Sequence, residues 1–157
     1  MKNKYFFILA LLIIGLASCS KQKNVTYNPT QQAAADNATI QAYIKANNLD
    51  SVKKDSSGLY YKIITPGSGA YPIASSTVDV NYKGTLTNGS VFAPEAPAEA
   101  PLGQFIAGWQ IGIPHINAGG TILLLIPSAL GYGNSSPAAT IPANSVLIFT
   151  VNLVSFN

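Results

Sequence analysis

The chain has 157 residues and a formal net charge of +3, from nine lysines against six acidic residues and no arginine. So weak a basic balance argues against a nucleic-acid partner, since phosphate backbones are bound through clusters of Lys and Arg. The single cysteine, Cys19, excludes a disulfide within the chain and a zinc site built from several thiolates.

The first residues follow the order of a secretory signal. Lys2 and Lys4 precede an almost wholly apolar run over residues 5–16, and Leu16-Ala17-Ser18-Cys19 comes next. The run is shorter than the about 20 residues needed to span a bilayer. Because the tetrapeptide resembles a bacterial lipobox, we expect residues 1–18 to be a lipoprotein signal peptide and Cys19 to carry lipid. An uncleaved membrane anchor with an incidental cysteine is the alternative.

We expect the mature protein to be held on a membrane of the cell envelope by the lipid on Cys19. More than one acyl chain makes such an attachment stable. Ser20 and Lys21 follow the cysteine, which by analogy with lipoprotein sorting favours the outer membrane. No acidic run follows to indicate surface export, so we expect the domain to face the periplasm. Without residues 1–18, seven lysines against six acidic residues leave a net charge of +1.

A tether and a helix are expected next. Residues 19–32 are polar and without a period, which predicts a flexible tether. Residues 33–56 predict a helical segment, in which Ile40, Tyr43 and Ile44 fall on one face at spacings i, i+3 and i+4. Because so short a helix has only marginal stability alone, we expect this stripe to pack on its own domain. Docking to a partner is the alternative.

From residue 57 to residue 157 the chain consists of short β-type runs between turn residues. Asn88-Gly89 predicts a hairpin, and the run over 120–127 is apolar on both faces, as in a strand covered on each side. The predicted order is a strand over 59–65, a strand over 77–85, a return through 91–92, a loop over 93–101, a short helix over 108–116, a strand over 120–127, a loop over 128–143 and a strand over 145–155. This order predicts an α+β domain in which a curved antiparallel sheet of about five strands wraps over one short helix.

The side chains needed for conventional catalysis are scarce. His115 is the only histidine, so no Ser-His-Asp or Cys-His arrangement can be completed with a second imidazole. One histidine and scattered carboxylates do not supply a metal site, and we expect neither a metal nor a cofactor. Glu95 and Glu99 lie in the predicted loop between prolines, where solvation accounts for them better than a carboxylate pair.

Aromatic side chains, by contrast, are expected to converge. Tyr82 points inward on its strand, Phe92 ends the hairpin, Trp109 begins the helix, Tyr132 lies in the long loop and Phe149 faces inward on the last strand. As a set they favour an apolar concave pocket with a few polar donors, although each could simply be part of the core.

From about residue 57 to residue 157 the chain resembles the FKBP-type peptidyl-prolyl cis-trans isomerases, the macrolide-binding immunophilins. The segments that carry the resemblance occur in the family's order and at nearly its spacing. They are Val80-Asn81-Tyr82-Lys83-Gly84-Thr85-Leu86 with Asn88-Gly89 and Phe92, Leu102-Gly103-Gln104-Phe105-Ile106-Ala107-Gly108-Trp109, Ile126-Pro127 with Gly131-Tyr132-Gly133, Ile141-Pro142, and Leu147-Ile148-Phe149-Thr150-Val151.

The resemblance implies an isomerase that assists the folding of exported, proline-containing polypeptides and that binds macrolides. It implies that a proline ring packs on Trp109, while the backbone N–H of Ile106 and the hydroxyl of Tyr132 hold the flanking carbonyl groups. The implied catalytic residues are Tyr82, Phe92, Ile106, Trp109, Tyr132 and Phe149. The implied substrate-binding residues are Phe105, Ile141 and Leu147.

Several positions depart from the family's pattern. Ala93 stands where the family usually has Asp directly after the phenylalanine, and Phe105 is bulkier than the usual aliphatic residue. The aromatic residues usual before Leu102 are Ala98 and Ala100, and an arginine of the following loop is absent. Two alternatives therefore stand beside the isomerase: a peptide-binding chaperone with weak or no catalysis, and an accessory lipoprotein of an envelope complex that docks through the helical stripe.

Overall fold

A computed structural model of the protein describes residues 27–157. The predicted signal peptide, the lipid site at Cys19 and most of the predicted tether lie outside these residues. The elements in chain order are helix α1 (Pro29–Ala46), strands β1 (Lys53–Lys54), β2 (Tyr60–Thr65), β3 (Thr77–Leu86) and β4 (Val91–Pro101), helix α2 (Ala107–Gly112), and strands β5 (Thr121–Ile126) and β6 (Leu147–Phe156). Short 3₁₀ turns cover Leu102–Gln104, Ile113–His115 and Ser128–Leu130. Within the described residues, neither helix is long and apolar enough to cross a membrane.

The strands form one antiparallel sheet in the order β1-β2-β5-β6-β3-β4. The predicted α+β architecture is confirmed, and the two-residue strand β1 is a sixth strand that the sequence pattern did not indicate. The predicted hairpin at Asn88-Gly89 joins β3 to β4. Its geometry uses Gly89 at φ +86°, and the N–H of Leu86 donates to the carbonyl of Ser90 at 2.9 Å.

The predicted loop over residues 93–101 is wrong, because these residues belong to strand β4. The strand pairs with β3 along its length, from Thr85 opposite Val91 to Thr77 opposite Pro101. It is the last strand of the sheet, so only one of its edges is paired. Proline has no backbone N–H, and an edge strand tolerates it because the outer edge needs no donors. Pairing with the long partner β3 therefore overrides a composition typical of loops.

Helix α1 begins at Pro29, four residues before the predicted helical segment, and ends at Ala46, so residues 47–56, which include β1, are not helical, contrary to the prediction. Asn28 caps it by accepting from the N–H of Gln31 at 3.1 Å, and Pro29 takes the first helical position, where no N–H is needed. Ile40 is fully buried in a cluster with Tyr60, Leu125, Val146 and Ile148. The expected packing of the helical stripe on its own domain is confirmed.

The sheet is covered on both faces where β5 and β6 run. Ile122, Leu124 and Ile126 of β5 belong to the larger core beneath α2, whereas Leu125 belongs to the cluster beneath α1. The prediction that residues 120–127 form a strand apolar on both faces is therefore confirmed. Helix α2 approaches β5 closely, since a Cβ at Gly108 would lie 2.6 Å from Cγ2 of Ile126.

Candidate active site

A cleft of about 250 Å³ opens between the inner face of the sheet, helix α2 and the loop that follows β5. Seven residues line it, and six of them belong to the predicted site. They are Tyr82, Gln104, Phe105, Ile106, Trp109, Tyr132 and Phe149. The aromatic residues and the donors come from four separate parts of the chain, and the fold brings them together.

Trp109 forms the floor of the cleft and is only 3% exposed. Tyr82 and Phe149 meet the indole edge to face, with ring centroids 5.1 Å and 5.2 Å away, while Phe105 stacks on it at 4.8 Å. Aromatic pairs in such geometries contribute about 0.5–1.5 kcal/mol beyond the area they bury. The floor and walls of the cleft are therefore an apolar surface of four packed rings.

The positions of these rings follow from the elements that carry them. On β3 the inward side chains alternate, so Tyr82 follows the buried Val78 and Val80. Trp109 lies in the first turn of α2, whose close contact with β5 depends on the neighbouring Gly108. Phe149 lies on β6 opposite Leu124, in the middle of the sheet.

The first polar group of the cleft is the backbone N–H of Ile106. Ile106 is the N-cap of α2, and its carbonyl accepts from the N–H of Trp109 at 2.9 Å. Within residues 27–157 no acceptor is paired with the Ile106 N–H itself. This group is therefore an available donor at the edge of an apolar cleft.

The second polar group is the hydroxyl of Tyr132, whose residue is 37% exposed. Burial raises the pKa of Tyr132 above its ordinary value, and the nearby Tyr82 adds to the effect. A tyrosine hydroxyl is protonated at neutral pH even at its ordinary pKa, so this group is able to donate. Its loop is held by the carbonyl of Ser128, which accepts from the N–H of Gly131 at 3.0 Å and of Gly133 at 2.8 Å.

Three predicted site residues do not line the cleft. Phe92 lies behind it, edge to face with Phe149 at 5.3 Å, and Ile141 is 6% exposed within the core. Leu147 is fully buried, so its predicted contact with substrate does not fit the structure. A Cβ at Gly131 would lie 2.9 Å from Leu147, which indicates that Leu147 supports the loop of Tyr132 from below.

Two glutamines were missed by the sequence analysis. Gln104 lines the cleft, and its only signal was its place in the segment that leads to Trp109. The side-chain amide of Gln110 donates to the carbonyls of Phe105 at 2.7 Å and Gly103 at 3.2 Å. It thereby fixes the turn that presents Phe105 and Ile106.

The cleft contains no acid and no imidazole. Ala93 is paired with Gly84 in the sheet, and no carboxylate is among the lining residues. His115 lies elsewhere and stacks on Tyr61 at 4.2 Å. The arrangement can bind an apolar ring on aromatic walls and donate hydrogen bonds to nearby acceptors, those of Ile106 and Tyr132 among them, but it offers no carboxylate or imidazole as a proton carrier.

Comparison with known proteins agrees with the family resemblance seen in the sequence. Residues 69–154 match the sequence profile of the FKBP-type peptidyl-prolyl cis-trans isomerases. The chain is 36% identical over 146 residues to "FKBP-type peptidyl-prolyl cis-trans isomerase FkpA" of Aeromonas hydrophila, an alignment that covers 86% of this chain and 54% of that protein. It is 37% identical over 130 residues to "Outer membrane protein MIP" of Legionella longbeachae, covering 80% of this chain and 56% of that one.

A solved structure is similar over nearly its whole length. The crystal structure of a peptidyl-prolyl cis-trans isomerase from Pseudomonas syringae pv. tomato matches with a TM-score of 0.71 and 27% identity, over 84% of this chain and 98% of that one. By contrast, the chain spans only about half the length of the two curated relatives.

Proposed function

The chain belongs to the FKBP-type peptidyl-prolyl cis-trans isomerase family, and on this premise we propose that its cleft accelerates the isomerisation of X–Pro peptide bonds in exported polypeptides. The observation that carries the proposal is the meeting, in one cleft, of the Trp109 floor with two donors, the N–H of Ile106 and the hydroxyl of Tyr132.

The reaction suits a site without acid or base chemistry. Rotation about an X–Pro bond faces a barrier of about 20 kcal/mol, because resonance holds the amide planar. The planar amide is more polar than the twisted one, so a dry aromatic cleft disfavours the ground state. Any group that binds the twisted form better than the planar form lowers the barrier.

We assign the cleft residues to this task as follows. The proline ring packs against Trp109 between Tyr82 and Phe149, with Phe105 at one side. The N–H of Ile106 and the hydroxyl of Tyr132 donate to the carbonyls that flank the bond. Phe92 and Ile141 act from behind the lining by holding these walls in place. The cleft is also proposed to bind the macrolide ligands of the family, which would compete with peptide.

A protease-coupled assay on short X–Pro peptides, with residues 20–157 and therefore without lipid, tests the proposal. We expect a rate above the uncatalysed one and a loss of about tenfold in Tyr132→Phe, the value of one hydrogen bond of 1–1.5 kcal/mol. Tyr71→Phe is the matched control, since Tyr71 is 58% exposed and absent from the cleft lining.

Two other results would overturn the proposal that the protein is an isomerase. Peptide binding without any rate above background would favour the chaperone. Partner capture that depends on Tyr43 and Ile44, with no rate and no peptide binding, would favour the accessory lipoprotein.

We further propose that the protein resides in the cell envelope, anchored in the outer membrane by lipid on Cys19 and facing the periplasm. The apolar run over residues 5–16 with the lipobox-like segment before Cys19 supports this location, as does the name of the Legionella relative. Fractionation with a membrane-impermeant probe tests it. Cys19→Ser should remove the protein from the outer-membrane fraction; an unchanged distribution would contradict the lipid anchor.

A further inference from the structure

Asp36 of helix α1 is a buried acidic residue, 2% exposed, outside the cleft and outside the matched residues 69–154. Its carboxyl group accepts from the backbone N–H of Ser128 at 2.8 Å, from the hydroxyl of Ser128 at 2.7 Å and from the side-chain amide of Gln32 at 2.7 Å. Burying a carboxyl group is costly unless hydrogen bonds satisfy it, and here both oxygens are satisfied. No lysine forms a salt bridge with it in the described part of the chain.

Ser128 connects this carboxyl group to the cleft. The residue is fully buried, and its carbonyl accepts from the N–H groups of Gly131 and Gly133, which flank Tyr132 on both sides. Asp36 therefore fixes the N–H and the hydroxyl of Ser128, and the carbonyl of Ser128 in turn fixes the turn that contains Tyr132. Two directional bonds to one oxygen leave Ser128 little freedom to rotate.

The Tyr132 loop has few other anchors beyond this turn. Residues 134–140 are all exposed, and two further backbone bonds lie close to the turn, from the N–H of Asn144 to the carbonyl of Gly133 at 2.8 Å and from the N–H of Ser135 to the carbonyl of Tyr132 at 3.1 Å. Segments with exposed backbone and few buried contacts open at low free energy. The orientation of Tyr132 consequently depends on the few buried bonds at the beginning of its loop.

We propose that Asp36 is a positioning residue for the cleft: through Ser128 it holds the turn that presents the Tyr132 hydroxyl, and helix α1 is thereby part of the functional unit. The kinetic consequence of this inference rests on the proposed isomerase function. The link between Asp36 and the Tyr132 turn is a separate physical claim, and it is measurable without any assay of activity.

Asn37, the next residue of the same helix, provides a matched control. Its side-chain oxygen accepts from the hydroxyl of Tyr60 at 2.6 Å and from Lys54 at 2.9 Å, and neither group belongs to the Tyr132 loop. Asp36→Ala and Asn37→Ala each remove a polar anchor between α1 and the domain. Only the first removes an anchor of the cleft.

Amide hydrogen exchange of full-length protein tests the link directly. We expect exchange at Gly131 and Gly133 to become about tenfold faster in Asp36→Ala, because both bonds that fix Ser128 are lost, and to stay unchanged in Asn37→Ala. Unchanged exchange in Asp36→Ala, or an equal increase in both variants, would overturn the proposal. Ser128→Ala, which keeps the backbone bond and loses the hydroxyl bond, should give a smaller increase and serves if Asp36→Ala does not fold.

The kinetic test is a double-mutant cycle. Asp36→Ala should lower kcat/KM about five- to tenfold when Tyr132 is present and have little further effect in a Tyr132→Phe background, because both changes remove the same hydroxyl contact. If the factors by which the two substitutions lower kcat/KM multiply in the double variant, the proposed route from Asp36 through Tyr132 is wrong. A wild-type protein without isomerase activity would refute the proposed function, while the exchange result would still decide the structural link.

Discussion

Phe105 determines how much of the Trp109 indole a ligand can reach. Its ring stacks on the indole with an interplanar angle of 28°, so it covers one face that a proline ring would otherwise use. Tyr82 and Phe149 are edge-on and block less of the surface. Because the indole is only 3% exposed, a proline ring reaches it only when Phe105 moves aside.

We predict that Phe105→Val raises kcat/KM on short X–Pro peptides. Displacing an ordered side chain costs about 0.5–1.5 kcal/mol, so the expected gain is about two- to tenfold, mainly through a lower KM. Separate measurement of kcat and KM checks the prediction, with Tyr71→Phe as the unaffected control. A higher KM would mean that Phe105 itself binds the proline ring.

Ala93 leaves the cleft without the acid that the family usually has beside Phe92. Ala93→Asp should raise the isomerisation rate severalfold, because a carboxylate near the cleft supplies a preorganised charge to the twisting amide. Ser90→Asp adds the same charge at an exposed position of the preceding hairpin and is the control. An unchanged or lower rate in Ala93→Asp would show that this cleft works without the acid.

We predict that His115 lowers the stability of the fold in acid. Burial lowers its pKa, the charge of Lys53 adds to this, and Asp55 opposes it. A group whose folded pKa is depressed contributes stability above its unfolded pKa of about 6.5, and this stability is lost as the pH falls through the folded pKa. Urea unfolding between pH 7.5 and about pH 5 should show a smaller loss in His115→Gln than in wild type; equal losses would exclude His115 as the cause.

At the scale of elements, α1 is an integral layer of the domain. Its apolar contact centres on Ile40, which is fully buried against the face of the sheet opposite the cleft. A helix of 18 residues has little stability alone, so this contact accounts for its presence.

Ile40→Ala should lower the free energy of unfolding by about 2–5 kcal/mol, through lost burial and the cavity left behind. Thr39→Ala, at an exposed position of the same helix, should change it by less than about 0.5 kcal/mol. Urea denaturation followed by circular dichroism measures both. Equal effects of the two substitutions would mean that α1 is not packed as described.

Strand β4 shows why an element can escape sequence analysis. Residues 93–101 include three prolines and have no buried side chain, so their composition is typical of a loop. What makes them a strand is the ladder to β3, and what permits the prolines is the free outer edge. The same prolines discourage a further strand from pairing with this edge.

At the scale of the whole molecule, the folded unit is larger than the segment that matches the family profile. Strand β2 and helix α1 precede residue 69, yet β2 pairs with β5 along most of its length, and Tyr60 contributes to the cluster beneath α1. The sheet therefore has a core on each face, one under α2 beside the cleft and one under α1. This two-sided burial explains why β5 is apolar throughout.

The local sequence pattern was sufficient to predict much of the fold and of the cleft. The alternation along β3, the Asn88-Gly89 turn and the two-sided apolar run of β5 act between residues close in the chain, and the aromatic set of the cleft was recovered from motifs. Only the tertiary structure decided that residues 93–101 pair as a strand, that Leu147 is buried beneath the Tyr132 turn, and that Asp36 bonds Ser128, 92 residues away. These outcomes depend on which distant residues meet, because pairing and burial are properties of contacts between elements, whereas periodicity is a property of a single element.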